Sequence, residues 1–164
     1  MTGSYDLAYL LDMGGRVALA VLAGGVVGIN RDMHKKSIGL RTLGLVSLSA
    51  CLLVLTVTEY GRAHGLNTED AMSRVTQGLI QGIGFLGAGA IMRGADQTQV
   101  YGLTTASAIL VVAALGVSCA VAAWPILILG LIGTLFLLVV CTPFERAVQR
   151  RFDRTQPPGQ NKHG

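Results

Sequence analysis

Charge is scarce in this sequence. Asp, Glu, Lys and Arg make up 13% of its 164 residues, against roughly 25% in an ordinary soluble domain. Aromatic residues reach only 5%, and the three histidines (34, 64 and 163) are scattered along the chain. Neither a metal cage nor a histidine-assisted nucleophile has the neighbours it needs. No His-Glu-x-x-His, Gly-x-Ser-x-Gly or Walker spacing occurs. No catalytic, cofactor-binding or metal-ligating residue is therefore assigned, and an enzyme is not expected. Cys51, Cys119 and Cys141 lie inside apolar segments without Cys-x-x-Cys spacing, which fits small buried hydrophobes better than zinc or a disulfide. The first fifteen residues hold Asp6 and Asp12 but no Lys or Arg, the reverse of a secretory signal's basic start.

What is abundant is Leu, Val, Ile, Ala and Gly, the composition of packed membrane helices. A span needs about 20 predominantly apolar residues, and the chain offers five, near 7–29, 40–58, 75–92, 103–122 and 125–141. The last two come from a 39-residue stretch, Leu103 to Cys141, without one charged side chain. That is too long for one span and right for two, with Trp124-Pro125 opening the second. The expected fold is thus an all-α integral membrane bundle over residues 1–142. Residues 143–164 read as a basic cytoplasmic tail, disordered from about 155.

The net charge of +4 does not point to nucleic acid, because the basic residues follow the membrane topology. With five spans, ten Lys and Arg residues fall on the side of the 31–41 loop, the 93–102 loop and the tail, and three on the other. This asymmetry places the amino terminus outside and the carboxyl terminus in the cytoplasm. Asp12 and Arg16, four apart in the first span, share a helix face and can pair, either as an interfacial tether or as a functional polar site. Glu59, Glu69 and Asp70 read as solvated loop carboxylates rather than as a cation site.

The third span is the least ordinary. From Gln77 to Arg93 it carries five glycines and no charge before Arg93. Gly82-Ile83-Gly84-Phe85-Leu86-Gly87 spells a dinucleotide fingerprint, but no strand precedes it and no acidic residue follows about twenty positions on. Membrane packing is the better reading: Gly78 and Gly82, like Gly24 and Gly28 in the first span, form Gly-x-x-x-Gly notches for a neighbouring helix. Gln77 and Gln81 are placed to bond across helices, and a break at 82–89 would expose carbonyls, as in some cation transporters. Thr104 and Thr105 are expected to cap the fourth helix or to bond to its neighbours.

Several blocks resemble the MgtC/SapB family of bacterial inner-membrane proteins: Gly28-Ile29-Asn30-Arg31-Asp32, Gly39-Leu40-Arg41-Thr42, Gln81-Gly82-Ile83-Gly84-Phe85-Leu86-Gly87-Ala88-Gly89, Ile91-Met92-Arg93 and Gly102-Leu103-Thr104-Thr105-Ala106. The likeness is to the short form without a soluble carboxyl-terminal domain. It departs from the family pattern at Asn30, where Glu is usual. The resemblance implies a role in magnesium homeostasis or low-magnesium adaptation, and virulence association in some members. It also implies a membrane protein partner, with the ATP synthase membrane sector as one candidate. A homo-oligomer and a small Mg2+ transporter or channel are the alternatives it leaves open. Arg31, Arg41 and Arg93, clustered on the cytoplasmic side with Thr42 and the 82–89 backbone, form the expected functional patch. The bland alternative makes Arg41 and Arg93 topology signals only.

Overall fold

The computed structural model describes residues 6–93 and 100–141. Five helices dominate: α1 (Leu7–Met33), α2 (Leu40–His64), α3 (Glu69–Ala90), α4 (Leu103–Ala120) and α5 (Trp124–Phe136), the last continuing as a π-helical turn over Leu137–Cys141. The only other regular structure among the described residues is a two-residue antiparallel ladder, β1 (Met92–Arg93) with β2 (Val100–Tyr101). The all-α expectation holds, with this short clasp between α3 and α4 as an addition.

Three helices (α1, α2 and α4) are long and apolar enough to cross a membrane. α3 has the length, but Arg74, Gln77, Gln81 and its glycines dilute its apolar character. The apolar run from Trp124 to Val140 is shorter. Large exposed side chains such as Phe85, 80% accessible, and Leu129, 71%, form the outer surface. In water such a surface would drive association; facing lipid it is ordinary.

Two helices run further than their composition suggests. α1 continues past Ile29 to Met33, so Arg31 belongs to a helix rather than to a loop. α2 continues past Thr58 to His64, where Gly65 ends it in the left-handed conformation (φ 62°) and returns its N–H to the Gly61 carbonyl. Polar residues at a helix end reach water without breaking the backbone ladder, so the apolar limits of a span are not the limits of its helix. α3 starts after Thr68, with Glu69 and Asp70 in its first turn, where the helix dipole favours them. It then runs unbroken through the glycine stretch to Ala90, so the 82–89 segment is neither a phosphate loop nor an opened helix. Pro125 enters α5 in its first turn, as its missing N–H allows.

The core lies between α1, α2 and α4, with Ala20, Val27, Leu43, Val54, Ile109 and Val112 among its buried residues. Glycine sets how closely these helices approach. A methyl on Gly24 would sit 2.6 Å from the Leu43 carbonyl oxygen and 2.8 Å from Ser47 Cβ. One on Gly28 would sit 2.5 Å from Leu40 Cα, and one on Gly116 of α4 would overlap the Ser47 carbonyl. α2 is therefore gripped on two sides, backbone against backbone. The other notch behaves differently: methyls on Gly78 and Gly82 would meet nothing within 4 Å. Of the 22 residues of α3, only Ile83 and Gly87 are buried. Of the two expected uses of this notch, a contact within the fold or one in a homo-oligomer, the first does not occur among the described residues; Gly78 and Gly82 face an open groove.

Candidate functional site

Two arginine centres organise the polar chemistry. Arg31, in the last turn of α1, is 2% exposed. Its Nε donates to the Ile38 carbonyl at 2.9 Å, and its Nη2 donates to Thr105 Oγ1 at 2.5 Å. One side chain thus joins α1, the turn before α2 and the first turn of α4. No carboxylate pairs with it among the described residues. A planar guanidinium with several fixed donors suits such a junction, where a lysine would offer a single charged point.

The second centre lies fifteen residues back on α1, roughly 22 Å along the helix. Arg16 Nη2 pairs with Asp12 Oδ2 at 2.8 Å, as their spacing predicts. Its Nη1 donates to the carbonyl of Ala120, the last residue of α4, at 2.8 Å. Nearby, Arg62 pairs with Glu59 and stacks its guanidinium 4.0 Å above the Tyr9 ring. Residues 16 and 31 of α1 thus meet residues 120 and 105 of α4, an equal fifteen-residue spacing on two antiparallel helices. Arg16 serves as a tether with a specific backbone target, which its spacing from Asp12 alone could not reveal.

The remaining expected site residues are not brought together. Arg41 is exposed in the first turn of α2 and has no ion-pair partner among the described residues; it does not touch the buried Arg31 centre. Thr42 beside it lines the groove between α2 and α3. Arg93 lends its backbone to β1, and its side chain lies outside the described residues. Gln77 makes a long contact to Ser73 within its own helix, and Gln81 is exposed, so neither amide bridges to another helix among the described residues. Of the two threonines, Thr105 is buried and bonds to Arg31, whereas Thr104 is exposed. Neither caps α4. That position belongs to Gly102, at φ 93°, whose α-hydrogen faces the Ala90 carbonyl so closely that a side chain would overlap it. Gly87 makes ordinary contact with Ala106, while Gly84 and Gly89, like Gly82, meet nothing.

Composition gave no hint of Ser47. It is fully buried between Gly24 and Gly116, and its hydroxyl has no hydrogen-bond partner among the described residues. Cys51 and Cys119 are buried free thiols, while the Cys141 side chain lies outside the described residues. No group of three His, Cys, Asp or Glu side chains able to hold a metal occurs among the described residues.

Residues 17–147 match the MgtC family. The chain belongs to the MgtC family. It is 39% identical over 137 residues to the protein SrpB of Synechococcus elongatus, covering 80% of this chain and 74% of that one. It is 35% identical over 142 residues to YhiD of Escherichia coli K12, named as a candidate magnesium transporter, covering 85% and 63%. It is 35% identical over 100 residues to the protein MgtC of Salmonella typhimurium, covering 61% and 39%. The chain therefore spans under two thirds of the latter two relatives. No solved structure matches it. Arg31, Ile38, Glu59, Arg62, Thr105 and Ala120 fall inside the family segment, as do Gly24, Gly28, Ser47 and Gly116; Arg16 lies one residue before its start, and Tyr9 and Asp12 lie further outside it.

Proposed function

We propose that this membrane protein of the MgtC family is a multi-pass protein of the bacterial inner membrane acting in magnesium homeostasis. It has five spans, its amino terminus outside and its carboxyl terminus in the cytoplasm. It works by binding a membrane protein partner, for which the family likeness makes the ATP synthase membrane sector one candidate, rather than by carrying the ion itself. The magnesium link is supported by the family and by the name given to YhiD.

The observation that favours a regulator over a carrier is the sealed core. Between the two arginine centres, α1, α2 and α4 meet mainly through glycine and apolar side chains, and the buried hydroxyls there among the described residues are Ser47 and Ser118, the latter bonded to the Ala114 carbonyl of its own helix. The deep ionisable groups are already committed: Arg16 to Asp12 and Ala120, Arg31 to Ile38 and Thr105. A hydrated divalent cation, which sheds its water reluctantly, has no oxygen-lined path there.

Two measurements together test this reading. The chain is expressed in a bacterium lacking its own family member, in limiting magnesium, and the purified protein is assayed for magnesium flux in liposomes. Restored growth with tight liposomes is the expected result. Magnesium flux that disappears in Asp12→Asn would replace the regulator with a transporter. Absence of rescue with the protein present in the membrane would detach this chain from magnesium physiology.

A further inference from the structure

The groove that Gly78 and Gly82 leave open has a defined length, chemistry and mouth. It encloses about 670 Å³ and is walled by Leu45, Ser49 and Leu53 on α2 and by Gly78, Gly82 and Leu86 on α3. Its extremes, Thr42 to Leu53 on α2 and Val75 to Leu86 on α3, each advance eleven residues, roughly 16 Å of helix. That is about half of a ~30 Å hydrocarbon core, the depth of a single leaflet.

The groove also opens onto charge that is net positive: Arg41, Lys35 and Lys36 share this end with one exposed carboxylate, Asp32, which accepts the Leu40 N–H. Arg41 immediately precedes Thr42 at the end of the groove and stands one turn before Leu45 on the same face of α2. Side chains lean toward the start of their helix, which directs Arg41 away from the apolar wall and out to headgroup level. Lys35 and Lys36, exposed in the turn just before α2, add to the charge at this end. None of the three has an acidic partner among the described residues.

We propose that this groove binds an anionic phospholipid, with one acyl chain lying along the Gly78 and Gly82 face and the phosphate held by Arg41. An apolar slot one leaflet deep, closed at the headgroup end by unpaired cations, has the complementary shape and charge for that molecule. Gly78 and Gly82 supply the clearance: any larger side chain there would occupy the slot. That the mouth faces the cytoplasmic leaflet rests on the topology proposed above, but the lipid selectivity of the purified chain does not. The outcome therefore stands apart from the growth and flux tests.

The experiment is native mass spectrometry of the full chain in detergent, titrated with phosphatidylglycerol or with phosphatidylcholine of matched acyl chains. The wild type is expected to retain phosphatidylglycerol at least about fivefold better, the effect of one basic residue at an anionic headgroup. Arg41→Gln, on an exposed side chain, should abolish that preference and leave phosphatidylcholine retention unchanged. Gly82→Leu should lower retention of both lipids, whereas Gly133→Leu, at another open glycine on α5, should lower neither. Equal retention of the two lipids by the wild type, or an unchanged preference in Arg41→Gln, overturns the proposal. A wild-type dimer that Gly82→Leu converts to monomer also overturns it, assigning the groove to a second copy. Should Gly82→Leu lose its helical circular dichroism, Arg41→Gln decides alone.

Discussion

The two Gly-x-x-x-Gly pairs should respond in opposite directions to the same substitution. In Gly28→Ala, the new methyl would stand 2.5 Å from Leu40 Cα and 2.8 Å from Leu40 N. Comfortable contacts between carbons are about 3.5–4.0 Å, so α1 and α2 must separate by roughly 1 Å along a seam that glycine closes. Neither obstacle is a flexible side chain; both belong to the backbone of α2. Overpacking of this kind costs about 1–3 kcal/mol, against at most about 1 kcal/mol regained by removing a helical glycine. With that gain realised in full, the net expectation is destabilisation by up to about 2 kcal/mol. In Gly82→Ala the methyl enters open space, so only the favourable part survives and stability stays level or rises by up to about 1 kcal/mol. At roughly 2–4 °C per kcal/mol for a chain of this size, the variants should bracket the wild type in a thermal melt in detergent. Titration with sodium dodecyl sulfate, followed by circular dichroism, gives the same comparison as free energy. Equal loss in both variants would refute the reasoning, because it would mean that the α3 face is as tightly covered as the α1 face.

Three further outcomes follow from the same contacts. Arg31→Met and Thr105→Val, combined in a double-mutant cycle, should show a coupling of about 1–2 kcal/mol, near the upper end for membrane hydrogen bonds; additivity would remove the Arg31–Thr105 bond. Gly102→Ala combines a φ of 93° with overlap onto the Ala90 carbonyl and should cost about 1–3 kcal/mol in a denaturant titration. Gly65→Ala, at φ 62° in open space, should cost less. Asp12→Asn, which breaks a half-exposed pair, should cost no more than about 0.5 kcal/mol, while Arg16→Met, which also frees the Ala120 carbonyl, should cost clearly more. Equal melts for these two would show that the Ala120 bond contributes nothing.

Period and composition carry information about faces and lengths, and that part of the molecule could be read directly. The positions of α4 and of the Trp124-Pro125 turn, the Asp12–Arg16 pair and the Gly24/Gly28 notch all follow from spacing along one helix. What spacing leaves open is which neighbour lies opposite. Gly24/Gly28 and Gly78/Gly82 are the same pattern, yet one meets the backbone of α2 and the other meets no part of the chain. Arg31 looks like a loop cation because Asn30, Asp32 and two lysines surround it; only the packing of α4 turns it into a buried junction. Thr104 and Thr105 are adjacent in sequence and equivalent in chemistry, and a 100° step around α4 separates the bonded one from the exposed one. The continuous helix through residues 82–89 was equally hidden, since glycine permits a break without requiring one.

The matched spacing of the two arginine bonds bears on how this molecule can move. A helix sliding along its neighbour shifts every contact by the same amount, so displacing α1 against α4 by one turn would break the Arg16 and Arg31 bonds together. Nor does the glycine seam with α2 offer a resting place one turn away, because a one-turn slide in either direction brings Ala20 to the place of Gly24 or Asp32 to the place of Gly28 and carries a side chain into backbone. Axial sliding is thereby closed to the three core helices, and they form a rigid plate. α3 has no comparable bond to this plate, with two buried residues and a groove along one side. Among the described residues α3 and α5, with two and one buried residues, are thus the helices that no such pair of bonds holds in register with the plate.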